Sequence, residues 1–242
     1  MKFFLIADEV GKMYFEAENL TEHFESIEIN VSLKCEKSTM TCVVGPSGSG
    51  KSTVLRLICG LDSPGKMPNQ LAQKIVLDGQ DITNLMPAKR QIGMVFQNHT
   101  LFEHLSVAQN VAYGLVSHGM KKKQALAEAS AFLEQFELAG FENRFPETLS
   151  GGEAQRVCLA RTLIMKPKLV LFDEPLSALD APLRKKLAQL ICRLQKEMGF
   201  TGIMVTHDLE EAKNIGDRIV LMKNGHVTWN GKAEDFSGDL LG

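Results

Sequence analysis

The stretch Val43-Val-Gly-Pro-Ser-Gly-Ser-Gly-Lys51-Ser52 constrains the fold of this chain more than any other. The apolar run from Thr39 to Val44 reads as a buried strand, the residues after it as a glycine-rich turn, and Ser52 to about Cys59 as a helix. Gly45, Gly50, Lys51 and Ser52 meet the spacing G-x-x-x-x-G-K-[ST]. Glycines let consecutive backbone N–H groups turn inward around an anion, and the next helix adds its partial positive N-terminus. In that setting Lys51 reaches the β- and γ-phosphates of a nucleotide and the Ser52 hydroxyl ligates Mg²⁺. The plain alternative is a glycine-rich turn with a surface lysine. Agreement between the pattern and both flanking elements argues against it.

A chain of 242 residues has room for one large α/β domain or two small ones and for a substantial core. Lys+Arg 27 against Asp+Glu 29 gives a net charge of −2, so no basic excess points to nucleic acid. The five cysteines, Cys35, Cys42, Cys59, Cys158 and Cys192, lie in apolar surroundings with neither C-x-x-C nor metal spacing. They are expected to be small buried hydrophobes in a reducing cytoplasm. The apolar run Lys2 to Ala7 is stopped by Asp8 and Glu9, too soon for a signal segment. No run approaches the roughly 20 apolar residues of a membrane span.

Residues 12 to 20 read as a first strand, leaving 1 to 11 as an extension and Met13 as a candidate initiator. Ile27, Ile29, Val31 and Leu33 alternate with polar residues, a half-buried strand, with Phe24 between the two. Strands come next at Lys74 to Asp78 and Gln91 to Phe96, the former closed by the turn Asp78-Gly79. Residues 98–165 change character: Val107 to Leu115, Lys121 to Phe136 and Glu153 to Met165 carry apolar residues at helical spacing. The continuous apolar run Lys168 to Phe172 is typical of a central parallel strand. After it come helix Leu183 to Met198, strand Gly202 to Thr206, helix Leu209 to Ile215 and strand Arg218 to Met222. Asn224-Gly225 then signals a hairpin to His226–Trp229. The expectation is a single α/β domain: a P-loop core with a mainly parallel sheet and an N-terminal antiparallel part (12–97 and 166–236), and an inserted helical subdomain (98–165).

Three further stretches carry chemistry. Asp173 and Glu174 close an apolar strand, and ligand sites in open α/β sheets lie at the carboxyl ends of strands. Asp173 is the candidate Mg²⁺ holder and Glu174 the candidate base for an attacking water. Ser150 to Glu153 forms a capping box, which accounts for Ser150 and Glu153. Gly151 and Gly152 suit instead a close approach to something, and the helix start makes a second anion site. His207 and Gln97 end two other strands, where they are candidates for contact with the γ-phosphate and for orienting metal or water.

In this order the chain resembles the nucleotide-binding subunits of ATP-binding cassette transporters, from Lys12 to Phe236. The marks are the loop Gly45 to Ser52, Gln97, the signature Leu149 to Glu153, the acidic strand Leu169 to Glu174, the segment Ser177 to Asp180, and His207. The resemblance implies that Gly45, Pro46, Ser47, Gly48, Ser49, Gly50, Lys51, Ser52 and Thr53 bind ATP, with Ser52, Gln97 and Asp173 at Mg²⁺. It makes Glu174, His207 and Gln97 the catalytic group. Phe24 falls where relatives place an aromatic on adenine, more commonly a tyrosine. Ser150, Gly151 and Gly152 would meet the ATP of a facing subunit, and Asp180 would bridge the halves.

With one copy of each motif, the chain is expected to act as a homodimer or beside a second cassette. The segment His99 to Ser106 resembles the groove that receives a permease helix. The segments Asn110 to Leu115, Leu149 to Arg156 and Asp180 to Arg184 look most like bacterial importers of polyamine, iron, thiamine, sulfate or molybdate. The resemblance thus implies an ATPase on the cytoplasmic face of the membrane, working with permease subunits and indirectly with a solute-binding protein. The chain ends soon after its last hairpin, so the C-terminal regulatory β-domain of many such importers is not expected. An exporter or lipoprotein-release cassette shares the engine. A nucleic-acid cassette would bring coiled-coil or zinc insertions, and a P-loop kinase would leave Ser150 to Gly152 without a role.

Overall fold

Strands that are apolar on both faces belong inside a layered fold, and a block of five largely apolar strands forms one half of the sheet here. In the computed structural model, which describes residues 13–24, 27–62, 72–98 and 100–237 without the Phe24 side chain, these are β3 (Met40–Val44), β6 (Ile92–Val95), β7 (Leu169–Asp173), β8 (Thr201–Val205) and β9 (Arg218–Lys223). They run parallel in the order β9-β3-β8-β7-β6. Every residue of β3 and β8 is buried.

The half-buried strands extend the sheet on the β9 side. Asn224 and Gly225, both with positive φ, turn β9 back into the antiparallel β10 (His226–Lys232). This strand meets β2 (Ile27–Cys35) at the pair His226 and Asn30. Beyond lie the antiparallel β1 (Phe15–Phe24), β4 (Lys74–Leu77) and β5 (Gln80–Asp81).

Two expectations are corrected here. The first strand begins at Phe15 and continues to Phe24, so Phe24 closes β1 opposite Ile27 rather than lying between strands. The alternation breaks at Asn19, whose positive φ of 53° marks a bulge, and pairing resumes at Leu20. A strand read by period two stops at such a point. The expected extension 1–11 lies outside the described residues.

Helix α1 (Lys51–Cys59) covers one face of the sheet, with Leu55 and Ile58 against Leu171, Ile203 and Val205. The other face carries α2 (Val107–Ser117), α3 (Lys122–Leu133), α4 (Gly151–Leu163), α5 (Ala181–Met198) and α6 (Leu209–Ile215). One apolar cluster runs from Val170 and Phe172 through Val157 and Leu159 to Val111 and Leu133, so the helices of 98–165 share the core of the sheet. The joint is tight: a Cβ on Gly93 of β6 would stand 2.6 Å from Thr162 of α4.

Helices α4 and α5 start two residues ahead of the periodicity because their caps sit further forward. Ser150 caps α4 reciprocally with Glu153, and the Asp180 carboxylate accepts from Leu183 N at 2.9 Å. Cys35, Cys42, Cys59 and Cys158 are buried and Cys192 half-buried, all as free thiols. No helix among the described residues is long and apolar enough to cross a membrane.

Candidate functional site

Parallel strands deliver their carboxyl ends to one edge of the sheet, and four neighbours deliver the expected residues there. The glycine-rich loop comes directly after β3, His207 lies just past the end of β8, Asp173 ends β7, and Gln97 lies just past β6. Contacts across the sequence result. Ser52 Oγ donates to Asp173 Oδ1 at 2.6 Å. His207 Nδ1 lies 3.2 Å from Glu174 Oε2. Gln97 Nε2 donates to Ser177 Oγ at 3.2 Å, so its described bond is to the segment 177–180 and not to Asp173 or Ser52.

The loop takes its shape from its glycines. Gly45, Gly48 and Gly50 have φ of 153°, 78° and 92°. At Gly45 the reason is steric as well: a Cβ there would stand 2.1 Å from the Met222 carbonyl oxygen. Lys51 is buried, and its ammonium donates to the Gly45 and Pro46 carbonyls at 2.9 and 2.8 Å. Ser47, Gly48, Gly50, Lys51, Ser52, Thr53 and Glu174 line a cleft of about 270 Å³, closed on one side by Ile27 and Ile29 of β2. Those two isoleucines were not singled out as site residues; their alternation signalled only a strand. A larger groove of about 1000 Å³ runs between α5 and α6, but it holds no part of the glycine-rich loop. The chemistry belongs to the smaller cleft, where loop, hydroxyl and acid converge.

The electrostatics fit an anion with a cation. Burial lowers the Lys51 pKa, opposed by Glu174 and Asp173. Burial raises the Asp173 pKa, Glu174 adds to the rise, and the Ser52 hydrogen bond opposes it. A half-buried carboxylate pushed towards its neutral form, first by desolvation and then by a second acid, is stabilised by a cation, and the donors beside it are hard oxygens. Mg²⁺ takes one or two carboxylates with phosphate oxygens and water and needs no protein cage, so Ser52 and Asp173 suit it. Glu174 itself sits at φ 44°, left-handed for a non-glycine residue, with its N–H held by the Val205 carbonyl at 3.1 Å.

The other expected residues lie apart from this cleft. None of residues 150–153 lines it. Gly151 is exposed, whereas Gly152 is buried, and a Cβ on it would stand 2.5 Å from Leu183 of α5. The close approach foreseen for the glycine pair is thus, at Gly152, a packing contact within the chain. The adenine-stacking role foreseen for Phe24 rests on a side chain outside the described residues.

A glycine-rich loop between a central strand and a buried helix, with an acid on a nearby strand bonded to the loop serine, defines a P-loop nucleotide-binding protein. The family described as "ABC transporter" matches residues 29–177, and the chain belongs to that family. It is 42% identical over 227 residues, 93% of its length, to the Fe(3+) ions import ATP-binding protein FbpC of Escherichia coli (strain K12). The protein of that name from Brucella abortus (strain 2308) is 43% identical over 90% of the chain. The chain spans 64% and 61% of the lengths of these relatives. Among solved structures it resembles cbiO1 from Clostridium perfringens, part of the ABC transporter complex cbiONQ. There the TM-score is 0.80 at 26% identity, covering 92% of this chain and 90% of that one. It also resembles a dimeric ATP-binding cassette in a post-hydrolysis state bound to ADP and Pi, with a TM-score of 0.77 at 33% identity, covering 92% of this chain and all of that one.

Proposed function

We propose that this chain is the ATP-hydrolysing subunit of a bacterial importer, and that ferric iron is the cargo of the system it drives. The observation that carries the hydrolytic reading is the convergence of Lys51, Ser52, Asp173, Glu174 and His207 at the ends of three adjacent strands. The cargo rests on the names of the relatives.

In this reading residues 45 to 53 cradle the phosphates of ATP with N–H groups, and Lys51 exchanges its loop carbonyls for phosphate oxygens. Ser52 and Asp173, with Gln97, would hold Mg²⁺, which supplies charge neutralisation on the phosphates. Glu174 accepts the proton of the attacking water, and His207, hydrogen-bonded to Glu174, holds that carboxylate in place and contacts the γ-phosphate. Phe24 stacks on adenine. Ser150, Gly151 and Gly152 contact the ATP of a second copy, and Asp180 bridges the copies; ATP closes the pair and hydrolysis reopens it. The chain works at the cytoplasmic membrane face on permease subunits, which receive cargo from a solute-binding protein.

Glu174→Gln tests the reading directly. The variant should bind ATP as the parent does, lose turnover by about 100-fold or more, and dimerise only with ATP. Parental turnover would remove Glu174 from the base role. Co-purification of the same variant from native membranes tests the partners: a short multi-span permease is expected, and an exporter-type permease would reverse the direction.

A further inference from the structure

The segment between Glu174 and the start of α5 and the segment carrying His207 are tied together by one side chain that the proposed chemistry leaves unused. Arg184 lies one turn into α5, its N–H bonded to the Asp180 carbonyl at 2.8 Å. Its guanidinium reaches in two directions. Nη2 donates to the Leu179 carbonyl at 3.1 Å, and Nη1 lies 3.3 Å from Asp208 Oδ2. Asp208 is the residue after His207 and is itself fixed: its N–H donates to Thr206 Oγ1 at 3.0 Å, and its Oδ1 caps α6 through Glu211 N at 3.0 Å. Thr206 N–H in turn donates to the Val43 carbonyl at 3.1 Å, at the base of the phosphate loop.

These contacts close a ring. From Glu174 it passes to Ser177, whose N–H and hydroxyl donate to the Glu174 carbonyl at 3.3 and 3.0 Å. It continues along the chain to Leu179, through Arg184 to Asp208, back one residue to His207, and across 3.2 Å to the Glu174 carboxylate. We propose that Arg184 is a positioning residue: by holding the Leu179 carbonyl and the Asp208 carboxylate at once, it sets His207 against Glu174 and makes the position of the 177–180 segment felt at the hydrolytic pair. The inference rests on the hydrolytic roles proposed for Glu174 and His207.

Two features favour positioning over plain stabilisation. Arg184 and Asp208 are 34% and 31% exposed, a setting in which an ion pair adds little to stability. And the two partners stand in different loops, which a planar fork spans at once, while a lysine offers a single charged point.

The test measures phosphate release and nucleotide binding on the purified full chain carrying Arg184→Ala, Arg184→Lys, Asp208→Asn, or Arg184→Ala with Asp208→Asn. Glu174→Gln and His207→Ala run alongside. Arg184→Ala should lower kcat about tenfold, as expected for a misplaced catalytic pair. KM and nucleotide affinity should stay within about twofold and the melting temperature near that of the parent, and Arg184→Lys should recover part of kcat. The double variant should turn over no more slowly than the slower of the two single variants, because both changes break the same ring. Parental kcat in Arg184→Ala, a fall explained by KM, or multiplied losses in the double variant would each overturn the inference. If Glu174→Gln and His207→Ala keep parental turnover, the hydrolytic assignment fails and the ring has nothing to position. If they lose it while Arg184→Ala does not, only the ring falls.

Discussion

Arg90 gives the sharpest test of how the phosphate-loop helix is held. The residue is 7% exposed, and its guanidinium finds no carboxylate within ion-pair distance among the described residues. It donates instead to four carbonyls: Leu57 at 3.1 Å and Ile58 at 2.7 Å in the last turn of α1, and Thr83 and Leu85, each at 2.9 Å, in the connection before β6. The negative end of the helix dipole faces the cation. Burial lowers the Arg90 pKa, so this charge is partly desolvated and the carbonyls offset that loss.

In Arg90→Ala the Leu57 carbonyl keeps the Gly60 N–H at 3.1 Å, while the other three carbonyls lose the guanidinium donor. A buried acceptor left unmade costs about 1–3 kcal/mol, and removing the desolvated charge returns part of it. The net loss is about 2–4 kcal/mol, which at ~2–4 °C per kcal/mol for a chain of this size lowers Tm by about 5–15 °C. Scanning calorimetry at two scan rates reads the shift and guards against irreversibility. Arg90→Met, which keeps the apolar stem and removes the fork, should lose nearly as much. A Tm within about 2 °C of the parent in Arg90→Ala, or full recovery in Arg90→Met, would refute the reasoning, since either would make the fork dispensable.

Other perturbations have equally definite outcomes. Gly45→Ala must move the Met222 carbonyl or abandon φ 153°, so nucleotide binding should fall at least tenfold by calorimetric titration. Burial, helped by Asp208 and opposed by Thr206, Arg184 and His207, raises the Glu211 carboxyl from 4.5 to about 7. Its folded value lies above its unfolded one, so the stability it contributes is full below about pH 4.5 and is lost as pH rises through 7. Glu211→Gln should remove that slope and gain about 1–2 kcal/mol at pH 8 after discounting for partial exposure; an unchanged slope of Tm between pH 5 and 8 would assign it elsewhere. Asn110 is fully buried, and its amide holds Phe102 N–H at 2.9 Å and faces the Phe102, Leu105 and Ser106 carbonyls at 3.0–3.2 Å. Asn110→Ala should cost about 2–4 kcal/mol and speed hydrogen exchange at Phe102, while the isolated chain keeps its nucleotide affinity.

What could be read from the sequence was local in the chain. The phosphate loop, the capping box at Ser150 and the alternation of β2 each write their geometry into neighbouring residues, and each took the expected form. The meeting of His207 with Glu174 depends on β8 lying beside β7, a matter of strand order that no local pattern carries. Arg90 and Asn110 were missed as determinants because most of their partners are backbone carbonyls, which every residue type possesses, and Arg184 because one partner is a carbonyl and the other a carboxylate in a different loop. The left-handed backbone of Glu174 was equally invisible: a glycine there would have announced it, and a glutamate conceals it. The early end assigned to β1 has a similar cause, since a bulge at Asn19 shifts the alternation by one residue.

The close seating of Thr162 on Gly93 bears on how α4 can move. The helix has 13 residues, about 20 Å of rigid rod, with no proline and no glycine beyond Gly152 to bend it. One end is wedged where β6 leads to Gln97, and the other carries Ser150. The Ser150 end is seated as closely, with Gly152 against Leu183 of α5, so a rod held at both ends cannot swing alone and passes a push on Ser150 to β6 and α5 together.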